Sequence, residues 1–110
     1  MDDIDRWVAV CDTESLTREV GVAALLEGQQ IAIFRTWDDK LFAVGNRDPY
    51  SRANIMSRGI VGTRGDICTV ASPMFKQAFD LESGQALDDI DVSLGSWPVR
   101  SHEGQIEVLL

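Results

Sequence analysis

The stretch "VAALLEGQQIAIFRTWDDKLFAVGN", residues 22–46, decides the fold because it contains three short apolar runs separated by two turn signals. Glu27-Gly28 and Asp38-Asp39 stand between the runs, and both pairs are suited to tight hairpin turns. Short apolar runs with hairpin turns between them are typical of antiparallel strands rather than of helices. The stretch therefore predicts a β-meander.

Similar runs on both sides of the meander predict an all-β chain of small antiparallel sheets, arranged as a sandwich with little helix. "RWVAVC" predicts the first strand, and "SLTREVG" predicts at most a turn or a short helical piece. "ICTVASP" and "KQAFDL" predict later strands, after which Ser83-Gly84 turns the chain into an edge segment, "QALDD". "SWPVRSHEGQIEVLL" predicts two strands around Glu103-Gly104, with Pro98 at an edge or at the mouth of a strand.

The segment "RDPYSRANIMSRGIVGTRGD", residues 47–66, is rich in proline and glycine. It is predicted to be mostly loop, with at most a helical turn over residues 54–57. Its glycines at positions 59, 62 and 65 do not fit a phosphate-binding motif and are interpreted as turn residues. A loop of this length in a small domain usually has a function.

Length and charge exclude several classes of protein. A chain of 110 residues predicts a single domain, 1–110. Its 18 acidic and 10 basic residues argue against a nucleic-acid surface, which needs clustered Lys and Arg. No apolar run is long enough for a signal peptide or a membrane span, so the predicted location is cytoplasmic. Two acidic groups are interpreted as solvated surface: Asp2, Asp3 and Asp5, and Asp88, Asp89 and Asp91.

The sequence contains no recognisable catalytic or metal-binding constellation. His102 is the single histidine and stands beside a predicted hairpin turn, where an exposed side chain is expected. Cys11 and Cys68 are far apart in β-type surroundings, so we predict buried, reduced thiols rather than a disulfide. No serine has the context of a nucleophile elbow. We therefore predict no catalytic, cofactor-binding or metal-binding residue in this chain.

Two segments of this chain resemble the cluster-binding loops of Rieske-type iron-sulfur domains. Such domains place a Cys-x-His loop after a β-meander and a Cys-x-x-His loop before a hairpin, and these residues hold a [2Fe-2S] centre. The corresponding segments here are "VGNRDPYS" and "ASPMFKQAFDLESGQAL". The resemblance puts Asp48 and Tyr50 at the first pair of ligand positions, and Ser72 and Phe75 at the second pair. These side chains cannot replace two thiolates and two imidazoles, so it implies a Rieske-like fold without its cluster.

From about Trp7 to Val108, the chain resembles the small subunits of bacterial NAD(P)H-dependent assimilatory nitrite reductases. "WVAVC", "KLFAVGNRDPYS" and "PVRSHEGQIEV" carry this resemblance together with the two loops. It implies a partner, the large subunit, which carries FAD, an iron-sulfur cluster and sirohaem and reduces nitrite to ammonium. The small chain would hold no cofactor and no catalytic residue.

The leading hypothesis is that the chain binds the large subunit through these two loops. The first loop offers residue types that are enriched at protein interfaces: Tyr50, Arg52, Ile55 and Met56. They form the predicted partner surface, although Tyr50 and Phe75 could instead fill the space that a cluster leaves. Two other functions stay open at this point. One is a Rieske ferredoxin with unusual ligands, and the other is a free-standing binding or assembly module of the same fold.

Overall fold

The computed structural model describes residues 6–110, and strands dominate this part of the chain. Two 3-10 helices, Thr13–Ser15 and Met56–Arg58, are the helical elements of the described residues. The prediction of an all-β chain with little helix is confirmed. The strands are β1 Trp7–Asp12, β2 Val22–Leu26, β3 Gln29–Arg35, β4 Leu41–Gly45, β5 Ile60–Arg64, β6 Ile67–Ala71, β7 Ala78–Asp80, β8 Ser96–Trp97, β9 Val99–His102 and β10 Gln105–Leu109.

The strands form antiparallel sheets in the orders β1-β10-β9, β2-β3-β4-β8 and β5-β6-β7. The predicted meander is confirmed as β2, β3 and β4 of the central sheet, where Ile33 pairs with Val22 on one side and with Ala43 on the other. Glu27 and Gly28 both have positive φ angles, 50° and 81°, as the tight β2-β3 turn requires.

Strand β3 lies between two hydrophobic cores, because successive side chains of a strand point to opposite faces. Ile31 and Ile33 pack with Leu16, Ile106 and Val108 on the side of β1 and β10. Ala32 and Phe34 face the other side, where they pack with Val44, Met56, Val70, Phe79, Leu81 and Ala86. Burial on both faces explains why the run of residues 31–34 is apolar throughout.

The loop predicted over residues 47–66 is shorter than expected. Residues 60–64 form β5, the edge strand that pairs with β6, so the prediction of loop is wrong there. Gly62 lies inside β5, and Gly59 is extended, with φ −69° and ψ 167°. A Cβ atom on Gly59 would lie 2.6 Å from the carbonyl oxygen of Ala71, so close packing rather than a turn requires this glycine. Gly65, with a φ of 62°, is a turn residue as predicted.

The structure also tests several smaller predictions. The helical turn lies at Met56–Arg58 instead of residues 54–57. Pro98 separates β8 from β9, and Glu103-Gly104 forms the β9-β10 turn. His102 is exposed beside that turn. Cys11 and Cys68 are free thiols as predicted, although both are half-buried rather than fully buried.

The second acidic group lies on the surface, with Asp88 and Asp91 exposed and Asp89 half-buried. Asp2, Asp3 and Asp5 lie outside the described residues. Within residues 6–110, no helix has the length and apolarity needed to cross a membrane.

Candidate functional site

The first candidate loop follows β4 and is closed by backbone hydrogen bonds between its own residues. The N–H of Asp48 donates to the carbonyl of Ala53 at 2.8 Å, and the N–H of Arg52 donates back to the carbonyl of Asp48 at 2.7 Å. The Asp48 carboxylate accepts a further bond, 2.9 Å long, from the N–H of Tyr50. Arg52 takes a left-handed φ of 65°, which lets the loop close so tightly.

The second candidate loop follows β6 and repeats this geometry position by position. The N–H of Ser72 donates to the carbonyl of Gln77 at 2.9 Å, and the N–H of Lys76 donates to the carbonyl of Ser72 at 3.0 Å. The Ser72 hydroxyl accepts a bond of 3.3 Å from the N–H of Met74. Lys76 has a φ of 61° and thus matches Arg52 in the first loop.

The same arrangement occurs once more beyond β7, in the turn from Asp80 to Gln85. The N–H of Asp80 donates to the carbonyl of Gln85 at 2.8 Å, and the N–H of Gly84 donates to the carbonyl of Asp80 at 2.7 Å. The Asp80 carboxylate accepts from the N–H of Glu82 at 2.8 Å, and Gly84 has a φ of 80°. This turn corresponds to no ligand position, so the loop shape is a local backbone motif that forms independently of a metal.

A side-chain hydrogen bond joins the first two loops. The Ser72 hydroxyl donates to the carboxylate of Asp48 over 2.7 Å, and neither residue is exposed to solvent. Asp48 and Ser72 are the two residues that the resemblance to Rieske domains predicts at the cysteine positions. The structure thus brings these two predicted residues together, and they bond to each other.

Hydrogen bonds keep Asp48 ionised inside the protein. Burial by itself would raise the pKa of this carboxyl, but hydrogen bonds from the Ser72 hydroxyl and the Tyr50 N–H, with others from Ser51, outweigh burial. The pKa of Asp48 therefore lies below its ordinary value. The buried oxygen pair is a carboxylate held by donors, which is a stable arrangement without a cation.

The two predicted histidine positions lie at the surface instead. Tyr50 is 38% exposed, and its hydroxyl donates to the carboxylate of Asp89 over 3.3 Å. The Tyr50 ring packs against the buried ring of Phe79, with 6.4 Å between the centroids. Phe75 is 52% exposed and its neighbour Met74 is 57% exposed, so neither fills a cluster cavity.

The residues at the four predicted ligand positions do not fit a [2Fe-2S] centre. Two cysteine thiolates and two imidazoles hold such a cluster in a Rieske domain, whereas Phe75 has no donor atom and the oxygens of Asp48 and Ser72 are already bonded to each other. Within residues 6–110, no group of three or more His, Cys, Asp or Glu side chains is arranged to hold a metal ion.

The predicted partner surface is only partly exposed. Arg52 is exposed and Ile55 is half-buried. Met56 is fully buried and belongs to the core with Phe34 and Phe79. The prediction of Met56 as a surface contact is therefore wrong, because the 3-10 helix that begins at this residue directs its side chain inward.

The sequence reasoning missed two kinds of residue at this site. Met74 and Lys76 share the exposed tip of the second loop with Phe75. Their position within that loop could have identified them as site residues from the sequence. Asn46 is buried and positions the first loop, because its side-chain oxygen accepts a bond of 2.8 Å from the N–H of Ser57. An isolated asparagine after a strand carries no pattern that would reveal this role.

Comparison with known proteins assigns the chain to a family. Residues 6–109 match the Rieske-like [2Fe-2S] domain family. The chain is 33% identical over 106 residues to the NADH nitrite reductase small subunit of Escherichia coli K12, covering 96% of this chain and 98% of that protein. It is also 36% identical over 102 residues, 93% of this chain, to a Klebsiella oxytoca nitrite reductase [NAD(P)H] large subunit, of which it spans 11%.

Comparison with solved structures identifies relatives of the same kind. The crystal structure of a Mycobacterium tuberculosis protein described as an NADH-dependent nitrite reductase small subunit superposes with a TM-score of 0.93 at 47% identity, covering 98% of this chain and 97% of that chain. The all-β architecture, the two converging loops and these similarities lead to one assignment. The chain belongs to the Rieske-like [2Fe-2S] domain family and, within it, is a homologue of the small subunits of NADH-dependent nitrite reductases.

Proposed function

We propose that this chain is the non-catalytic small subunit of an NAD(P)H-dependent nitrite reductase and works in contact with the large subunit. One observation carries the proposal: the chain matches nearly the whole of the E. coli small subunit and also a segment making up 11% of the K. oxytoca large subunit. A domain that occurs both as a separate small subunit and within a large subunit is expected to pack against the rest of the enzyme.

The chemistry of the reaction then belongs to the partner. The four side chains at the ligand positions do not suit an iron-sulfur cluster, so in this proposal the small subunit transfers no electrons. FAD, an iron-sulfur cluster and sirohaem in the large subunit would pass electrons from NADH or NADPH to nitrite and produce ammonium. The free thiols of Cys11 and Cys68 support a reducing compartment, and the proposed location is the cytoplasm.

Co-expression with the large subunit from the same genome tests the proposal. A tag on this chain should recover a complex that contains the large subunit, and the complex should oxidise NADH or NADPH when nitrite is added. The small chain, separated from the complex, should be colourless and contain far less than stoichiometric iron and sulfide. A chain that never associates with the large subunit would contradict the proposal, and so would a brown small chain with stoichiometric iron and sulfide.

A further inference from the structure

We propose that the tips of the two loops form the docking surface for the large subunit, and that the partner presents an apolar centre rimmed by carboxylates. The loop-tip surface is defined as Tyr50, Arg52, Met74, Phe75 and Lys76. This inference rests on the proposed function and adds where the partner binds and which chemistry recognises this chain.

Exposed apolar side chains form the centre of the loop-tip surface. Met74 is 57% exposed, Phe75 52% and Tyr50 38%, and the two loops that carry them are held together by the bond between Ser72 and Asp48. Aromatic residues and methionine are enriched at the centres of protein interfaces, and tyrosine is frequent among the residues that dominate binding energy. Other large apolar side chains, such as Trp37 and Ile90, are also exposed, but these three lie on two loops that are joined to each other, and grouped apolar side chains mark binding surfaces better than scattered ones.

The arginine and lysine side chains without an ion pair are concentrated in or next to the two loops. Within the described residues, six arginine and lysine side chains lie within ion-pair distance of a carboxylate: Arg6, Arg18, Arg35, Lys40, Arg64 and Arg100. The basic residues of this part of the chain that form no such pair are Arg47, Arg52, Arg58 and Lys76. All of these belong to the first loop, to the 3-10 helix that follows it or to the second loop.

The local charge of the loop tips is opposite to that of the whole chain. The single acidic residue within the two loops, Asp48, is fully buried, whereas Arg47, Arg52 and Lys76 are exposed. The chain as a whole has 18 acidic and 10 basic residues, so three exposed cations on two joined loops, with no carboxylate partner among residues 6–110, differ from the rest of the surface. Asp89 accepts the Tyr50 hydroxyl and the charge of Asp88 also acts on it, so carboxylates border these cations on the side of Tyr50. Complementary charge on the partner would orient docking and accelerate association.

The loop-tip surface is also held rigid before any partner binds. Arg52 and Lys76 are fixed in left-handed conformations by backbone bonds of 2.7 and 3.0 Å to the start of each loop. A surface that is already ordered loses less conformational entropy on binding than a flexible loop would. A second copy of this chain is a poor occupant, because a symmetric contact would place the positive tips against each other.

The test is a binding titration of the folded small subunit with the large subunit at low and at high salt. Two double variants probe the two parts of the surface: Met74→Ala with Phe75→Ala, and Arg52→Glu with Lys76→Glu. Controls with matched chemistry lie outside the loops. Leu25→Ala removes an apolar side chain that is 65% exposed, and Arg18→Glu reverses a cation that pairs with Asp39.

We expect each double variant to weaken binding by about tenfold or more. The reason is that a few residues, exposed in the free subunit and buried at the centre of the interface after binding, carry most of the affinity. The charge-reversed variant should also lose the salt dependence of the dissociation constant, and both controls should bind within about twofold of the native chain. Thermal melting checks that all variants remain folded.

A complex that forms with the native chain but is insensitive to both double variants would overturn the docking surface and leave the proposed function standing. A native chain that forms no complex would instead contradict the proposed function itself. Self-association through the loops, seen as a dimer that the Arg52→Glu and Lys76→Glu variant dissolves, would assign the surface to a second copy and overturn this inference.

Discussion

Ser72 donates a hydrogen bond of 2.7 Å to Asp48, and this buried contact connects the loop after β4 with the loop after β6. The two loops are therefore held together by side chains of this chain alone. The loops stay side by side, and the residues at their tips remain on one surface.

Removing the donor of this contact should destabilise the protein. Ser72→Ala leaves a buried carboxylate oxygen without its partner, and hydrogen bonds to charged groups contribute roughly 1.5–3 kcal/mol. We expect the free energy of unfolding, measured with urea, to fall by about 2 kcal/mol. The matched control is Ser83→Ala, since Ser83 is exposed and accepts one bond of 3.1 Å from the N–H of Gln85. Equal losses for both variants would contradict the role of the buried contact.

The loss of unfolding free energy at acidic pH should depend on Asp48. Its pKa in the folded protein lies below the ordinary value of 3.8, so the unfolded chain takes up the proton first as the pH falls. The stabilisation is thus complete above that value and is lost as the pH falls through the folded pKa. Asp48→Asn cannot take up this proton, so its stability should fall less steeply in acid.

Urea unfolding at several pH values measures this effect. The free-energy gap between the native chain and Asp48→Asn should be constant above about pH 5 and should narrow below about pH 4. A gap that widens in acid would mean that burial outweighs the hydrogen bonds and that the pKa of Asp48 is raised.

Two methionines of this chain differ in burial, so the same substitution should affect stability differently at each. Met56 is fully buried in the core between the central sheet and the β5-β6-β7 sheet, whereas Met74 is 57% exposed. Met56→Ala should lower the free energy of unfolding by about 2–4 kcal/mol, because it leaves a cavity. Met74→Ala should change it by less than about 0.5 kcal/mol. Thermal and urea unfolding of both variants check the prediction, and similar stabilities would show that Met56 is not a core residue.

Alanine substitutions at two glycines with nearly the same φ angle can distinguish the cost of backbone strain from the cost of a steric clash. Gly84 and Gly28 have φ angles of 80° and 81°, so an alanine at either position costs about 1 kcal/mol or more of backbone strain. A Cβ atom on Gly84 would lie 2.4 Å from the carbonyl oxygen of Gly95, whereas no atom of residues 6–110 would lie within 4 Å of one on Gly28. Gly84→Ala should therefore lower the melting temperature much more than Gly28→Ala. Equal melting temperatures would indicate that the backbone near Gly95 moves aside freely.

The sequence predicts well the elements whose signals are local. The meander of residues 22–46 follows from apolar runs and the turn residues between them. The structure has the tight turn at Glu27-Gly28, but Asp38-Asp39 lies in a longer connection over residues 36–40 that is closed by the bond from the Thr36 N–H to the Lys40 carbonyl. Strand β5 was missed because Gly59 and Gly62 resemble turn residues, although Gly59 is there to let backbone and side chains approach closely. A glycine needed for close packing cannot be distinguished from a turn glycine until the neighbouring strand is known.

The features of the candidate site that were missed depend on contacts between distant residues. Asp48 and Ser72 were both named from the resemblance, but the hydrogen bond between them was not predicted, because they are 24 positions apart and follow strands of different sheets. The inward direction of Met56 depends on the 3-10 helix that starts there. The unpaired state of Arg52 and Lys76 can be recognised only after the partners of the other cations are known.

The backbone motif shared by Asp48–Ala53, Ser72–Gln77 and Asp80–Gln85 has a consequence for how this protein matures in the cell. Each loop reaches its final shape through hydrogen bonds between residues at most five positions apart, which can form as soon as the chain folds. In the proposed cluster-free subunit, the loops would therefore reach their final shape without iron and without cluster-assembly enzymes.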